Sequence, residues 1–522
     1  MADRNGTSGR ILPMTSARRA RPPRVALIVD HPERDLAGLV LTSLDLVQRG
    51  VVCHLVPVNL QEREVWALEP DFVLFNYLRR SNERFAAELM NAGIAFGSID
   101  TEGAIWPDMD EYASLLWHDA RQLREVRCVC IWGQRLADHL IERNLLTRDQ
   151  VVVTGCPRFD LYAQPWRLLR ADAAEALHRP TRRILINTNF SVTNPLFTTA
   201  DKCMAMHHSV LGYSQEELHT VAAKEAVAIR EVMLIATRLA DAFPELDVVI
   251  RPHPFEDPKP YHAAAAGRRN VSVIQAESIQ AAIFSSCAVI QRSCTTAIEA
   301  GMAGVPTFSP QWMPAPFLMP DAEAASVPCE SFAALASHIR AVVDGSFHLP
   351  AATRQGIALA IRDCCFAADG LAHARVADAV SRVIQPREVD HARCRRLMYG
   401  LGRSTETALA RAARHARLRL SLSPEWSFRH MRDVPEVAWM NSNKYFDASR
   451  VAQLVERARE IGGFAQGDLD KIEVRGEGST RDGRPTYARY GATIAPRSWT
   501  ERHSTTSSPI ASARSMRTVR QS

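Results

Sequence analysis

The segment QRSCTTAIEAGMAGVP, residues 291–306, sets Ser293, Thr295 and Thr296 directly before a run of helix formers that closes on glycine and proline. A helix start leaves backbone N–H groups without intrahelical partners and carries partial positive charge, so an oxyanion is its natural occupant. The hydroxyls can donate to the same anion or simply cap the helix, and the segment alone does not separate the two roles. Upstream, RPHP (251–254) holds His253 between two prolines, which favour an extended loop and an aimed imidazole. An imidazole beside a phosphate donates hydrogen bonds when neutral and adds charge when protonated. Arg251, His253 and the 293–296 turn together spell a phosphate site that needs no lysine.

Such side chains need a scaffold that delivers loops to one cleft. From Arg24 the chain repeats short β-branched runs followed by helical stretches: RVALIVD, VVCHLVPV, DFVLFNYL, IAFGSID, CVCIWG and VVVTG. Alternation of this kind predicts a parallel sheet with helices on both faces. Apolar strands stop near 157–183 and a second series follows, in ILINTNF, LDVVIRPHP, VSVIQ, CAVIQ and VPTFS. The expected architecture is therefore α/β: two Rossmann-like parallel-sheet domains, 24–165 and 182–350, facing a cleft lined by the loops after the strands. Residues 351–469 read as a helical extension whose first part packs back on the core. The arm 1–23 and the Gly/Ser/Thr/Arg-rich tail 470–522 read as disordered.

Composition removes other classes. The 522 residues are 46% hydrophobic, with no apolar run of membrane-spanning length and no signal-peptide core after the basic N-terminus. A cytoplasmic protein is expected, with peripheral contact to a membrane face left open. The eleven cysteines show no metal-ligand or disulfide spacing. The net charge of +5 comes from arginine, the only lysines being Lys202, Lys224, Lys259, Lys444 and Lys471, and no nucleic-acid partner is expected.

Two further loops fall at strand ends. NTNFSVTNP (187–195) offers Asn187, Thr188 and Asn189 as uncharged donors for phosphate or sugar hydroxyls, or as an ordinary Asn/Thr turn. DHPERD (30–35) offers His31, Arg34 and Asp35 to an acceptor, or forms an exposed loop. DMDE (108–111) is the nearest candidate for a metal and reads as a polar helix start. Neither an essential metal nor a cofactor is expected.

The order R-P-H-P, then Ser285–Ser286, then RSCTTAIEAGMAGVP resembles the C-terminal half of GT-B glycosyltransferases, most of all bacterial enzymes of surface polysaccharide and capsule synthesis, including sialyl- and Kdo-transferase-like branches. DHPERDLAGLVL, TEGA, VTGCPRFDL and ILINTNFSVTNPLF resemble surface carbohydrate biosynthesis proteins, so the likeness spans roughly 24–385. The resemblance implies that His253 and Pro254 contact a nucleotide phosphate, and that Ser293 and Thr295 form its Ser/Thr pair around Cys294. It implies a general base at Glu102, in Asp100-Thr101-Glu102-Gly103, where threonine stands in place of one expected acid. It also implies that Glu299 accepts from the nucleotide ribose; Gln291 stands where retaining relatives keep another glutamate. Transfer of a sugar from a nucleotide-sugar donor to a polysaccharide or glycolipid acceptor is the expected activity. A polyol-phosphate (CDP-glycerol-type) transferase and a catalytically silent nucleotide-sugar-binding protein are the alternatives.

Overall fold

The computed structural model describes residues 21–103, 105–106, 108–178, 182–196, 198–275, 277–398, 444–464, 469–476, 480–481, 484–485 and 491–498. Its two sheets follow from the β-branched runs. β1 (Arg24–Val29), β2 (Val52–Pro57), β3 (Phe72–Phe75), β4 (Ala95–Ile99), β5 (Val129–Ile131) and β6 (Val151–Val153) pair in parallel in the order β2-β1-β3-β4-β5-β6. β7 (Arg183–Asn187), β8 (Asp247–Arg251), β9 (Val271–Val273), β10 (Ser286–Ile290), β11 (Thr307–Pro310) and β12 (Val327–Cys329) form the second sheet, β12-β11-β10-β7-β8-β9, also parallel. Strands with no polar face, such as RVALIV, are buried between two helical layers, as parallel sheets require. The fold is α/β and GT-B-like, two Rossmann-like domains in one chain.

The strand orders fix where ligands can enter. In an open parallel sheet the crevice opens where successive crossovers diverge to opposite sides. In the first sheet that point lies between β1 and β3. In the second it lies between β7 and β10. The loops after these four strands begin at Asp30, Asn76, Arg183–Asn187's successor Thr188, and Gln291.

The C-terminal part departs from expectation. β13 (Ile472–Arg475), a two-residue hairpin of β14 (Thr480–Arg481) and β15 (Arg484–Pro485), and β16 (Ala492–Pro496) fall within the tail expected to be disordered. β16 pairs antiparallel with β2, and β13 pairs antiparallel with β16, so they extend the first sheet to eight strands among the described residues. Leu469, Ile472, Ile494 and Ala495 are buried there, and Thr493 Oγ1 lies 2.8 Å from His54 Nδ1 in the core. Gly491, at φ +107, leaves β16 so close to the Leu55 carbonyl that a Cβ would stand 2.1 Å from that oxygen. β13 is the edge strand and is fully buried only at Ile472, whereas β16 lies between β13 and β2 and is buried from Ala492 to Ala495. At the other end Arg21 pairs with Asp71 at 2.6 Å, so the ordered fold starts before residue 24. Residues 1–20 and 499–522 lie outside the described set.

Helix Ala372–Val383 and helix Ala448–Glu460 pack against helix Pro32–Gln48 in the core of the first domain. No helix among the described residues is long and apolar enough to cross a membrane.

Candidate functional site

On the second domain, polar side chains at or beyond the ends of three adjacent strands keep atoms without hydrogen-bond partners. Asn187, the last residue of β7, is 5% exposed, and neither atom of its amide makes a hydrogen bond. Its register partner on β8 is Arg251, whose Nη2 donates to the Glu277 carbonyl at 3.3 Å while Nε has no partner. Thr296 opens helix Thr296–Ala303 after β10, and its buried hydroxyl has no oxygen or nitrogen partner, the Cys294 thiol lying beside it. Leaving a buried polar group unpaired costs on the order of 1–3 kcal/mol, so three at one crevice mark a place prepared for a polar ligand.

His253 stands beside them. Its backbone N–H donates to Glu256 Oε2 at 3.0 Å, its carbonyl accepts from Gln275 Nε2 at 3.0 Å, and its Nδ1 accepts from the Phe255 N–H at 3.3 Å. A backbone donor on Nδ1 places the ring proton on Nε2. Burial, reinforced by Arg251, pushes the imidazole down to about 4, so it is a neutral donor at neutral pH. Glu256, fully buried, also accepts from Thr188 Oγ1 and Tyr261 OH, both at 2.6 Å. It thereby ties the loop after β7 to the loop after β8. Asn189 is half-buried and Pro254 is exposed at the turn.

Several expected contacts are corrected. Ser293 sits at φ +54, and both its N–H and its hydroxyl donate to Glu323 Oε1, at 2.7 and 2.8 Å. The carboxylate also binds Arg292, so the serine is spent inside its own domain. Thr295 is the N-cap residue yet makes no side-chain capping bond. Glu299 is 4% exposed; Oε2 accepts from Tyr162 OH at 3.1 Å, and Oε1 lies 3.8 Å from Arg158 Nε. It joins the domains through the segment Pro157–Tyr162.

The first domain supplies the opposite wall. His31 caps helix Pro32–Gln48, its Nδ1 accepting from the Glu33 N–H at 3.2 Å, and its pKa is lowered by burial and then by Arg34. Asp35 accepts from the His31 N–H and from Arg34. Arg34 reaches Asp30 at 2.6 Å and Glu102 Oε1 at 3.1 Å, while Arg79 reaches Glu102 Oε2 at 3.0 Å. The Glu102 side chain keeps 45% of its surface in solvent, although protein surrounds it. Burial alone would raise its pKa; Arg34 and Arg79 outweigh burial and hold it at about 2. It is therefore ionised but, in this arrangement, a weak base. Glu102, Arg34 and His31 lie near enough to His253 to act on its charge, Glu102 favouring protonation and Arg34 and His31 opposing it.

Sequence reasoning missed Arg79, Asn76, Lys444 and Glu256. The first two lie in FNYLRR after β3, where the switch point would have flagged them. Lys444, whose Nζ meets Asp30 at 3.0 Å, follows a stretch outside the described residues and carries no local signal. Asp108 caps helix Met109–Ser114 and Asp110 pairs with His139 and Arg143, so DMDE is a helix start. Among the described residues no three His, Cys, Asp or Glu side chains are grouped to hold a metal.

Neither a family model nor a curated protein matches the chain. Among solved structures it is similar to Staphylococcus aureus MnaA with UDP, at 13% identity and a TM-score of 0.43, over 69% of this chain and 96% of that one. It is similar to Neisseria meningitidis UDP-GlcNAc 2-epimerase bound to UDP-GlcNAc, at 13% identity and 0.42, over 69% and 100%. It is similar also to the wall teichoic acid polymerase TagF, at 12% identity and 0.39, over 60% and 72%.

Proposed function

We propose that the protein is a glycosyltransferase that takes a sugar from a nucleotide-sugar donor and passes it to a surface polysaccharide or glycolipid. The observation that carries this reading is the unpartnered set of Asn187, Arg251 Nε and Thr296 at the switch point of the second sheet, beside a neutral His253. Fixed neutral donors and one arginine suit a phosphate whose charge grows as the sugar departs, because they stabilise the anion without prior rearrangement. Asn189 and Pro254 flank the same crevice. Glu102 takes the acceptor proton from the opposite wall, with His31, Arg34 and Asp35 shaping the acceptor side.

The reaction runs without an essential metal or cofactor, and peripheral contact with the membrane brings the enzyme to a lipid-linked acceptor. Incubation with donors labelled separately in the sugar and in a polyol phosphate tests the reading. Transfer of the sugar label, undiminished by excess EDTA, is the expected result. Transfer of the polyol-phosphate label would replace it with the CDP-glycerol-type reaction, and tight nucleotide-sugar binding with no transfer to any acceptor would leave a binding protein.

A further inference from the structure

The first sheet has its own set of unpartnered groups. Asn76 ends the loop side of β3 with 0% exposure; its Oδ1 accepts from Asn82 Nδ2, and its Nδ2 has no partner. Thr101 follows β4, is 4% exposed, and has an unpartnered hydroxyl; its N–H donates to the Asn76 carbonyl at 3.0 Å, so the two residues adjoin. Arg79 Nε is also buried without a partner, while its guanidinium lies over Tyr77 at 4.9 Å and Trp106 at 5.7 Å. These groups gather beside the β1/β3 switch point, where Arg34 enters from the first turn of helix Pro32–Gln48.

Among the described residues, only Glu102 bridges the two guanidiniums, with one oxygen on each. The neighbouring acids are paired as well, two of them with other nitrogens of Arg34. Asp30 is held by Arg34 and Lys444, Asp35 by Arg34 and the His31 N–H, and Asp100 by Tyr112 OH and the Glu102 N–H. Arg34 and Arg79 are 26% and 22% exposed against 45% for Glu102, so the carboxylate is the outer, more easily displaced member.

We propose that Arg34, Arg79, Asn76 and Thr101 form an oxyanion site that receives the phosphate or carboxylate of an acidic acceptor in place of the Glu102 carboxylate. The proposal rests on the transferase reading above and specifies its acceptor class. A two-oxygen group fits two guanidiniums as the carboxylate does, and gains the idle amide and hydroxyl donors. Displacement also strips Glu102 of its cations, returning it toward ordinary carboxylate basicity beside the bound acceptor, so that the base is released when there is a proton to take.

Calorimetry on the full chain tests this with glycerol 3-phosphate and glucuronate as probes, in an Asn187→Ala background that weakens phosphate binding on the second domain. Glu102→Gln removes the internal competitor and tightens binding of the favoured probe roughly three- to tenfold, a gain that misfolding cannot produce. Arg79→Gln weakens it about tenfold. A preference for glycerol 3-phosphate identifies a phosphorylated acceptor, and one for glucuronate an acidic sugar. Equal or weaker binding by Glu102→Gln, or failure of both probes to bind it, overturns the proposal. Nucleotide affinity measured separately with intact Asn187 reports on the donor site, so the two failures are distinct.

Discussion

The two switch points solve opposite electrostatic problems. At β7/β10 the ligand-facing groups are mostly neutral and idle: Asn187, Thr296 and a neutral His253, with the one arginine lowered in pKa by its burial. At β1/β3 the groups are charged and closed on one another, Arg34 and Arg79 on Glu102, and Arg34 and Lys444 on Asp30. A neutral, preformed crevice can bind at once, since nothing has to be broken. A charge-compensated one must exchange partners, which ties binding to a change in the basicity of Glu102. Under the proposed transfer, the first suits the donor and the second the acceptor.

The domains also differ in how they are completed, and removing the completion is the change with the largest expected effect. The second sheet is finished within 183–329, whereas the first takes β13 and β16 from the C-terminal segment. Ending the chain at 470 uncovers the edge of β2 and deletes the buried Ile472, Ala492, Ile494 and Ala495. That costs on the order of 5 kcal/mol or more. Loss of soluble protein, or a first-domain unfolding transition that separates from the second, is the expected outcome in expression and calorimetric melting; an unchanged melt would show that the tail is dispensable.

Glu102→Gln comes next. Turnover should fall about 10²- to 10⁴-fold while nucleotide affinity stays near that of the parent, because the change lies on the acceptor wall. Steady-state rates with parallel nucleotide calorimetry check both halves of that statement, and a variant with normal turnover would remove Glu102 from the chemistry.

Glu225 sharpens the account of the second domain at smaller scale. This residue is 1% exposed and accepts from Thr193 N–H and Oγ1, both at 2.7 Å, bracing the loop after β7. Burial raises its pKa from 4.5 to about 7, with the nearby Glu256 adding to the rise. A raised carboxyl pKa means that the folded state holds the proton longer. Its stabilisation is thus complete below pH 4.5, declines as pH rises toward 7, and is gone above. Glu225→Gln should gain stability relative to the parent across that window, by on the order of 2–3 kcal/mol between pH 5 and 8. Urea midpoints at the two pH values measure it, and a pH-independent difference would contradict the burial of an ionisable acid here.

Much of the scaffold was legible because a strand buried on both faces must be apolar throughout: RVALIV, FVLF and RILIN declare themselves. The strands of the tail did not, since Ile472 and Ile494 are single large apolar residues in short runs, and the pairing of β16 with β2 links positions more than four hundred residues apart. β12, VPC, is too short to register as a run. At the site, His253 and the helix at 296 were recognisable from proline spacing and helix-start chemistry. The capture of Ser293 by Glu323 and of Glu299 by Tyr162 was not, because each depends on a partner brought from another element. Glu102 was named from its place after β4, but its two arginine partners, which set its charge state, come from the starts of two different helices.

The central claim is that the second domain's idle donors hold a nucleotide phosphate. Isothermal calorimetry with CMP, CDP, UDP and GDP tests it most directly, on the parent, Asn187→Ala and His253→Ala. One nucleotide should bind the parent well above the others, and each substitution should weaken it about tenfold, the loss of a charge-assisted hydrogen bond to phosphate. Undiminished affinity in both variants, or no nucleotide binding by the folded parent, would contradict the account.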